Sequence, residues 1–211
     1  MRLALLPLAF FATLAVPLAH PAPACGDALR LNEILAGPAR DWDGSGAYSA
    51  RDDEWVEVVN AGPSPLDLGV YFITDADSVP RYAFAGTLGA GARRVVFGRE
   101  AYDWERATGR PAFGLSLGNG GDAVLLWRVA AAETLLADAY AYRSHEAAPD
   151  RAVGRLPDAL GEWQLFDGLN PYSGTASPPG NGCAPSPLAP NACDFTPAAG
   201  STWGRLKALY R

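Results

Sequence analysis

Apolar and polar residues alternate with a period of two along short runs of this chain, the pattern of half-buried strands. The runs are Leu29 to Leu35, Glu54 to Asn60, Leu66 to Thr74, Arg81 to Phe84, Arg93 to Phe97, Asp122 to Val129, Thr134 to Tyr142 and Glu162 to Phe166. In the second run the alternation places Trp55, Glu57 and Val59 on one face, with Val56 and Val58 on the other. Turn formers separate the runs: Gly62-Pro63-Ser64-Pro65, Gly89-Ala90-Gly91 and Gly118-Asn119-Gly120-Gly121. Neither heptads nor internal repeats are present, and only Arg99 to Thr108 reads as helix inside the domain. Many short strands with frequent turns predict an all-β, antiparallel sandwich or barrel.

The two ends of the chain depart from this pattern. Residues 1–24 read as a signal peptide: Arg2 gives the positive start, Leu3 to Leu18 the apolar run, and Ala22-Pro23-Ala24 a small-residue cleavage site. Pro7 and Pro17 interrupt that run, so it is too short and broken for a membrane span. Cys25 follows directly, where bacterial lipoproteins carry lipid, but Ala22 stands where a lipobox has leucine. Plain secretion is therefore the expectation, and a lipid anchor at Cys25 the alternative.

Composition narrows the class further. With Gly 23 and Pro 18 among 211 residues, these two make up about a fifth of the chain, as short strands joined by turns require. A net charge of −6 argues against a nucleic-acid partner held through phosphates. Beyond Asn170 the composition shifts to Pro, Gly, Ser, Asn and Ala, with too little apolar surface to fold alone. Cys183 and Cys193 lie within that stretch, and in an oxidising compartment a disulfide between them is the natural reading. A zinc site would need more ligands than two thiols, and the mature chain holds a single histidine, His145. The predicted division is thus a signal peptide (1–24), a sandwich domain (25–177), and a disulfide-stapled linker with a basic tail (178–211). In that tail Ser201 or Thr202 could cap a short helix carrying Trp203, Leu206 and Tyr210 on one side; a frayed end is the alternative.

The ordered strand motifs resemble the lamin tail domain, an immunoglobulin-like sandwich of nuclear lamins and many secreted bacterial proteins. Leu31-Asn32-Glu33-Ile34 is similar to the family's opening "INE" strand, and Asp53-Glu54-Trp55-Val56-Glu57-Val58-Val59-Asn60 to "DEFVELVN". Leu66-Asp67-Leu68-Gly69-Val70-Tyr71 resembles "vDLsgW", followed by Ile73-Thr74-Asp75 for "LSD". Arg81-Tyr82-Ala83-Phe84 and Arg93-Arg94-Val95-Val96-Phe97 fit the next two strands. The most distinctive segment, Leu115-Ser116-Leu117-Gly118-Asn119-Gly120-Gly121-Asp122-Ala123-Val124, resembles "LSLNNSGDTV". Asp138-Ala139-Tyr140 and Val153-Gly154-Arg155 complete the series. The resemblance covers Leu29 to Ser177; Tyr71 stands where the family has a core tryptophan, and Tyr102–Gly114 is an insertion. It implies an immunoglobulin-like antiparallel β-sandwich with a Pro/Gly-rich C-terminal extension. No catalytic residues are shared across the family, so the expectation is a non-catalytic secreted or cell-surface module for binding or adhesion, with a protein or polysaccharide partner.

Between the first two strands lies an acidic, glycine-bearing loop. Asp41, Asp43 and Ser45 stand at positions one, three and five of a calcium-loop pattern, Gly46 at the sharp turn, and the Ala47 carbonyl at seven. Ser49 falls at nine and Asp52 at twelve. Hard cations favour such oxygen clusters because each carboxylate replaces hydration water while cancelling charge. Calcium held by Asp41, Asp43, Ser45, Ala47, Ser49 and Asp52 is one expectation; a solvated acidic loop is the other. Asp75 and Asp77 read as an ordinary turn.

Gly114-Leu115-Ser116-Leu117-Gly118 spells the G-x-S-x-G pattern of hydrolases, with His145 as the available base. That motif requires a strand, a strained turn and then a helix, whereas here another strand follows. An extracellular carboxylate- or calcium-dependent hydrolase is the rival to the binding module. The aromatics Trp42, Tyr48 and Trp163 could stack on a sugar, or pack beneath loops.

Overall fold

The computed structural model describes residues 28–131 and 133–193. The expected signal peptide, Cys25 and the basic C-terminal tail lie outside these residues. The elements are β1 (Leu29–Leu35), β2 (Trp55–Asn60), β3 (Leu66–Asp67), β4 (Tyr71–Thr74), β5 (Pro80–Ala83), β6 (Thr87–Leu88), β7 (Arg93–Phe97), α1 (Gly98–Ala107), β8 (Gly121–Ala130), β9 (Glu133–Arg143), β10 (Ala152–Leu156) and β11 (Glu162–Phe166). They form the expected antiparallel β-sandwich. One sheet has the order β11-β10-β1-β2-β7, the other β5-β4-β8-β9, and β3 pairs with β6 at the side.

The main core fills the space between the sheets. Ile34, Val56, Val58, Val96 and Val153 come from the five-stranded sheet; Tyr71, Ile73, Val124, Leu126 and Ala137 come from the other. Tyr71 is buried there. A second core lies on the outer face of the five-stranded sheet, where Leu35, Trp55, Val95, Ala152 and Phe166 are closed over by Cys183. Residues of the Pro/Gly-rich extension up to Cys193 therefore pack on the domain. The expected disulfide, Cys183–Cys193, staples them with a Cα–Cα separation of 5.1 Å. Both faces of β2 are buried, so its Trp55/Glu57/Val59 face is as dry as its valine face.

Several elements differ from the sequence expectation, among them the two-residue β6, which lies outside every expected run. The run Leu66 to Thr74 is two strands in different sheets, with the Tyr71 amide donating to the Leu68 carbonyl (2.9 Å) across the intervening turn. Strand β10 interrupts its apolar alternation at Gly154 and Arg155. The helix starts one residue earlier than expected, at Gly98, where a Cβ would lie 1.8 Å from the Arg51 carbonyl oxygen. Its first amides donate to the end of the acidic loop, Gly98 to the Glu54 carbonyl (2.7 Å) and Arg99 to that of Asp52 (3.1 Å).

Candidate cation site in the first loop

The loop between β1 and β2 is organised by three carboxylates whose oxygens accept backbone amides. Asp41 accepts Gly44 (2.8 Å) and Ser45 (3.1 Å) on Oδ1 and Gly46 (2.7 Å) on Oδ2. Gly44 and Gly46 have φ of 73° and 90°, a left-handed backbone that folds the amides onto the carboxylate and suits glycine. Asp43 Oδ1 accepts the Ser45 amide (2.8 Å). The third carboxylate is Asp53: Oδ1 accepts Trp42 (2.6 Å) and Asp43 (3.0 Å), and Oδ2 accepts Ser49 (2.7 Å).

One oxygen from each of Asp41, Asp43 and Asp53 lies within 4.8 Å of the others. An ionised carboxylate has about four lone-pair sites, so Asp43, with one amide engaged, keeps most capacity for a hard cation. Of the six expected ligands, Asp41 and Asp43 converge and Asp52 does not. Its carboxylate pairs with Arg51 Nε (2.6 Å), which holds the Asp52 carboxyl below its ordinary value. Asp53, one residue on and fully buried, takes the place expected of Asp52. Ser45 Oγ donates to the Ala47 carbonyl (3.1 Å), and Ser49 Oγ accepts the Asp52 amide (3.2 Å), so these groups serve the loop itself.

The loop is anchored by Asp150, in the turn before β10. That carboxylate accepts the Ala39 amide (2.9 Å), the Trp42 indole (2.9 Å) and Arg40 Nε (2.9 Å). Burial would raise the Asp150 carboxyl, but these donors together hold it below its ordinary value. Trp42 also meets Trp55 edge-on at 6.1 Å, so it packs beneath the loop, and Trp163 stacks on Tyr140 at 4.0 Å. Tyr48 is exposed.

At the G-x-S-x-G segment, Leu115 and Leu117 are core residues, and a turn followed by β8 succeeds the serine. Ser116 is not joined to His145, whose ring lies 4.9 Å from that of Tyr172. The segment instead caps Glu54, whose Oε2 accepts the Leu117 amide (3.2 Å). Burial pushes the Glu54 carboxyl up to about 8, with the Asp122 charge adding to the rise.

Sequence reasoning passed over a second carboxylate pair. Glu33 and Glu57 stand directly opposite each other on β1 and β2, fully buried on the outer face of the sheet. The signal was available: the alternation put Glu57 on the face of Trp55, a face a soluble protein covers. Arg81 was passed over as well; it sits in a buried cluster with Asp75 (2.7 Å) and Glu105 (3.4 Å). Comparison with family models, with curated proteins and with solved structures gives no match. Among the described residues no helix is long and apolar enough to cross a membrane.

Proposed function

We propose that this chain is a non-catalytic, exported module of the lamin-tail type that binds a protein or polysaccharide outside the cytoplasm, with calcium as a structural ligand of its first loop. The observation that carries the reading is the filled space between the sheets, where side chains of both inner faces interlock. The hollows described are surface features. One of about 500 Å³ is lined by residues of the 182–193 loop and holds neither a carboxylate nor a histidine. The motif series supports the lamin-tail reading, since its segments fall in order on β1, β2, β3–β4, β5, β7, the turn before β8, β9 and β10. The disulfide supports an oxidising compartment. A carboxylate-dependent hydrolase would need two acids converging on an open cleft, and the opposed pair Glu33 and Glu57 is closed off from solvent.

Calorimetric titration of calcium into chelator-treated mature protein tests the cation. Binding of modest affinity, with Kd on the order of 10⁻⁴–10⁻³ M, and a raised melting temperature are expected. Asp43→Asn and Asp53→Asn abolish the calcium response, while Asp52→Asn keeps it; melting unchanged at millimolar calcium removes calcium from the reading. Screening against immobilised polysaccharides and surface proteins tests the module, with retention and no released product expected. Release of cleaved product would turn the assignment to the hydrolase.

A further inference from the structure

Residues 181–193 cross the outer face of the five-stranded sheet as a strap, seated by hydrogen bonds from Ser186, Leu188 and Asn191. Asn191 sets the orientation. Its Nδ2 donates to two backbone carbonyls, Asn32 (3.2 Å) and Arg155 (3.0 Å), which fixes the amide and leaves Oδ1 facing Ser186 Oγ at 3.1 Å. Ser186 Oγ also lies 3.1 Å from Glu33 Oε2. A serine hydroxyl has one proton and two acceptor sites. Because Asn191 Oδ1 takes that proton, the contact between Ser186 Oγ and Glu33 Oε2 is complete only if Glu33 supplies a hydrogen. The Ser186 amide meanwhile donates to both Glu33 oxygens, more closely to Oε1 (3.1 Å) than to Oε2 (3.3 Å), which suits Oε1 as the carbonyl oxygen of a neutral acid.

The opposite carboxylate is built differently. Glu57 Oε1 accepts Asn32 Nδ2 (2.8 Å), Oε2 accepts the Leu188 amide (2.6 Å), and Arg93 Nε is 3.9 Å away. Each oxygen of Glu57 meets a donor, as suits the charged form. Two ionised carboxylates opposite each other in dry surroundings repel strongly, and one proton between them removes the conflict. The single hydroxyl hydrogen of Ser186, shared between two oxygen contacts, assigns that proton to Glu33.

We infer that Glu33 is a neutral carboxylic acid when the strap is seated, and that Glu33–Ser186–Asn191 forms a proton latch that releases the strap when Glu33 ionises. The groups facing Glu33 are Glu57 on β2, Arg93 on β7, and Asp158 in the turn after β10, which accepts the Asn32 side chain (3.0 Å) and the Asn191 amide (2.9 Å). Arg155 on β10 is turned to Asp138 (3.0 Å), and the strap adds no titratable side chain of its own. Burial raises the Glu33 carboxyl well above its ordinary value; the Ser186 amide opposes this and the Glu57 charge reinforces it. The sign follows: the seated strap is favoured below the ordinary carboxylate range, and that contribution is lost as pH rises through the elevated folded-state value.

The test is hydrogen exchange at the Ser186 and Leu188 amides of the disulfide-intact protein between about pH 5 and pH 9, normalised for intrinsic base catalysis. Wild type is expected to lose protection at these amides by tenfold or more across the range. Glu33→Gln, which donates to Ser186 as the acid does and cannot ionise, is expected to hold it level. Parallel profiles for the two proteins overturn the latch. Level protection in wild type alone also overturns it, so the test stands even if Glu33→Gln does not fold.

Discussion

The Asp53 carboxylate accepts the Trp42 amide at 2.6 Å, tying the start of the acidic loop to its end. The same carboxylate accepts Asp43 and Ser49, so one fully buried side chain terminates three backbone donors. Asp52, its neighbour, makes an ion pair with a half-exposed arginine at the surface. Identical residue types one position apart thus carry very different structural weight.

Replacing Asp53 with Asn puts an amide group where backbone donors need an acceptor, at a cost of about 3 kcal/mol. Asp52→Asn costs less than about 1 kcal/mol, as exposed pairs do. Denaturant unfolding of both variants without added metal measures the contrast, and equal losses would refute this account of the loop.

Why spacing pointed to Asp52 is instructive. A calcium-loop register assumes a helix after position twelve, whereas here β2 begins at Trp55 and its approach turns Asp53 inward. Alternation revealed β1, β2, β7, β8, β9 and β11 because each has an apolar face on a core. It missed β10 for a reason visible at Gly154, where a Cβ would lie 2.8 Å from Asn191 Nδ2 and 3.1 Å from Glu33 Cγ. The break in the pattern makes room for the strap. Composition marked the strap as too apolar-poor to fold alone, and its two cysteines pack into the outer core. Its seat on Glu33 and Glu57 joins residues more than a hundred positions apart, which no local pattern encodes.

Arg81 joins the sheet to the helix. Its guanidinium pairs with Asp75 and Glu105, all nearly solvent-free, and Glu105 in turn accepts the Phe113 and Gly114 amides (2.5 and 2.8 Å). Arg81→Met leaves two buried acids without a cation and should cost about 3–5 kcal/mol. Thermal unfolding checks the value; a loss under 1 kcal/mol would mean the acids find other compensation.

Reducing Cys183–Cys193 frees a short loop in the unfolded chain and should lower stability by about 3 kcal/mol. The main core contains neither cysteine, so the sandwich should persist while the strap loosens over Trp55. Denaturant midpoints with and without reductant, followed by tryptophan fluorescence, measure both effects. An unchanged midpoint would show that the strap holds without its staple.

Glu54 gives the domain a pH dependence of its own. Its folded-state value of about 8 lies above the ordinary 4.5, so the fold favours the neutral acid. That contribution is complete below about pH 4.5 and is lost as pH rises through about 8, by a few kcal/mol in total. Glu54→Gln keeps an acceptor for the Leu117 amide and removes the titration, so its melting temperature should fall less than that of wild type between pH 5 and 9. The proton on Glu33 is read separately, because it governs exchange at the strap amides whereas Glu54 sits where the Leu115–Leu117 segment enters the main core. If Glu54→Gln flattens strap exchange as well as global melting, the two acids titrate as one system and the strap is coupled to the sandwich interior. If it alters neither, Glu54 is ionised in the folded protein and the 114–118 segment opens to admit water.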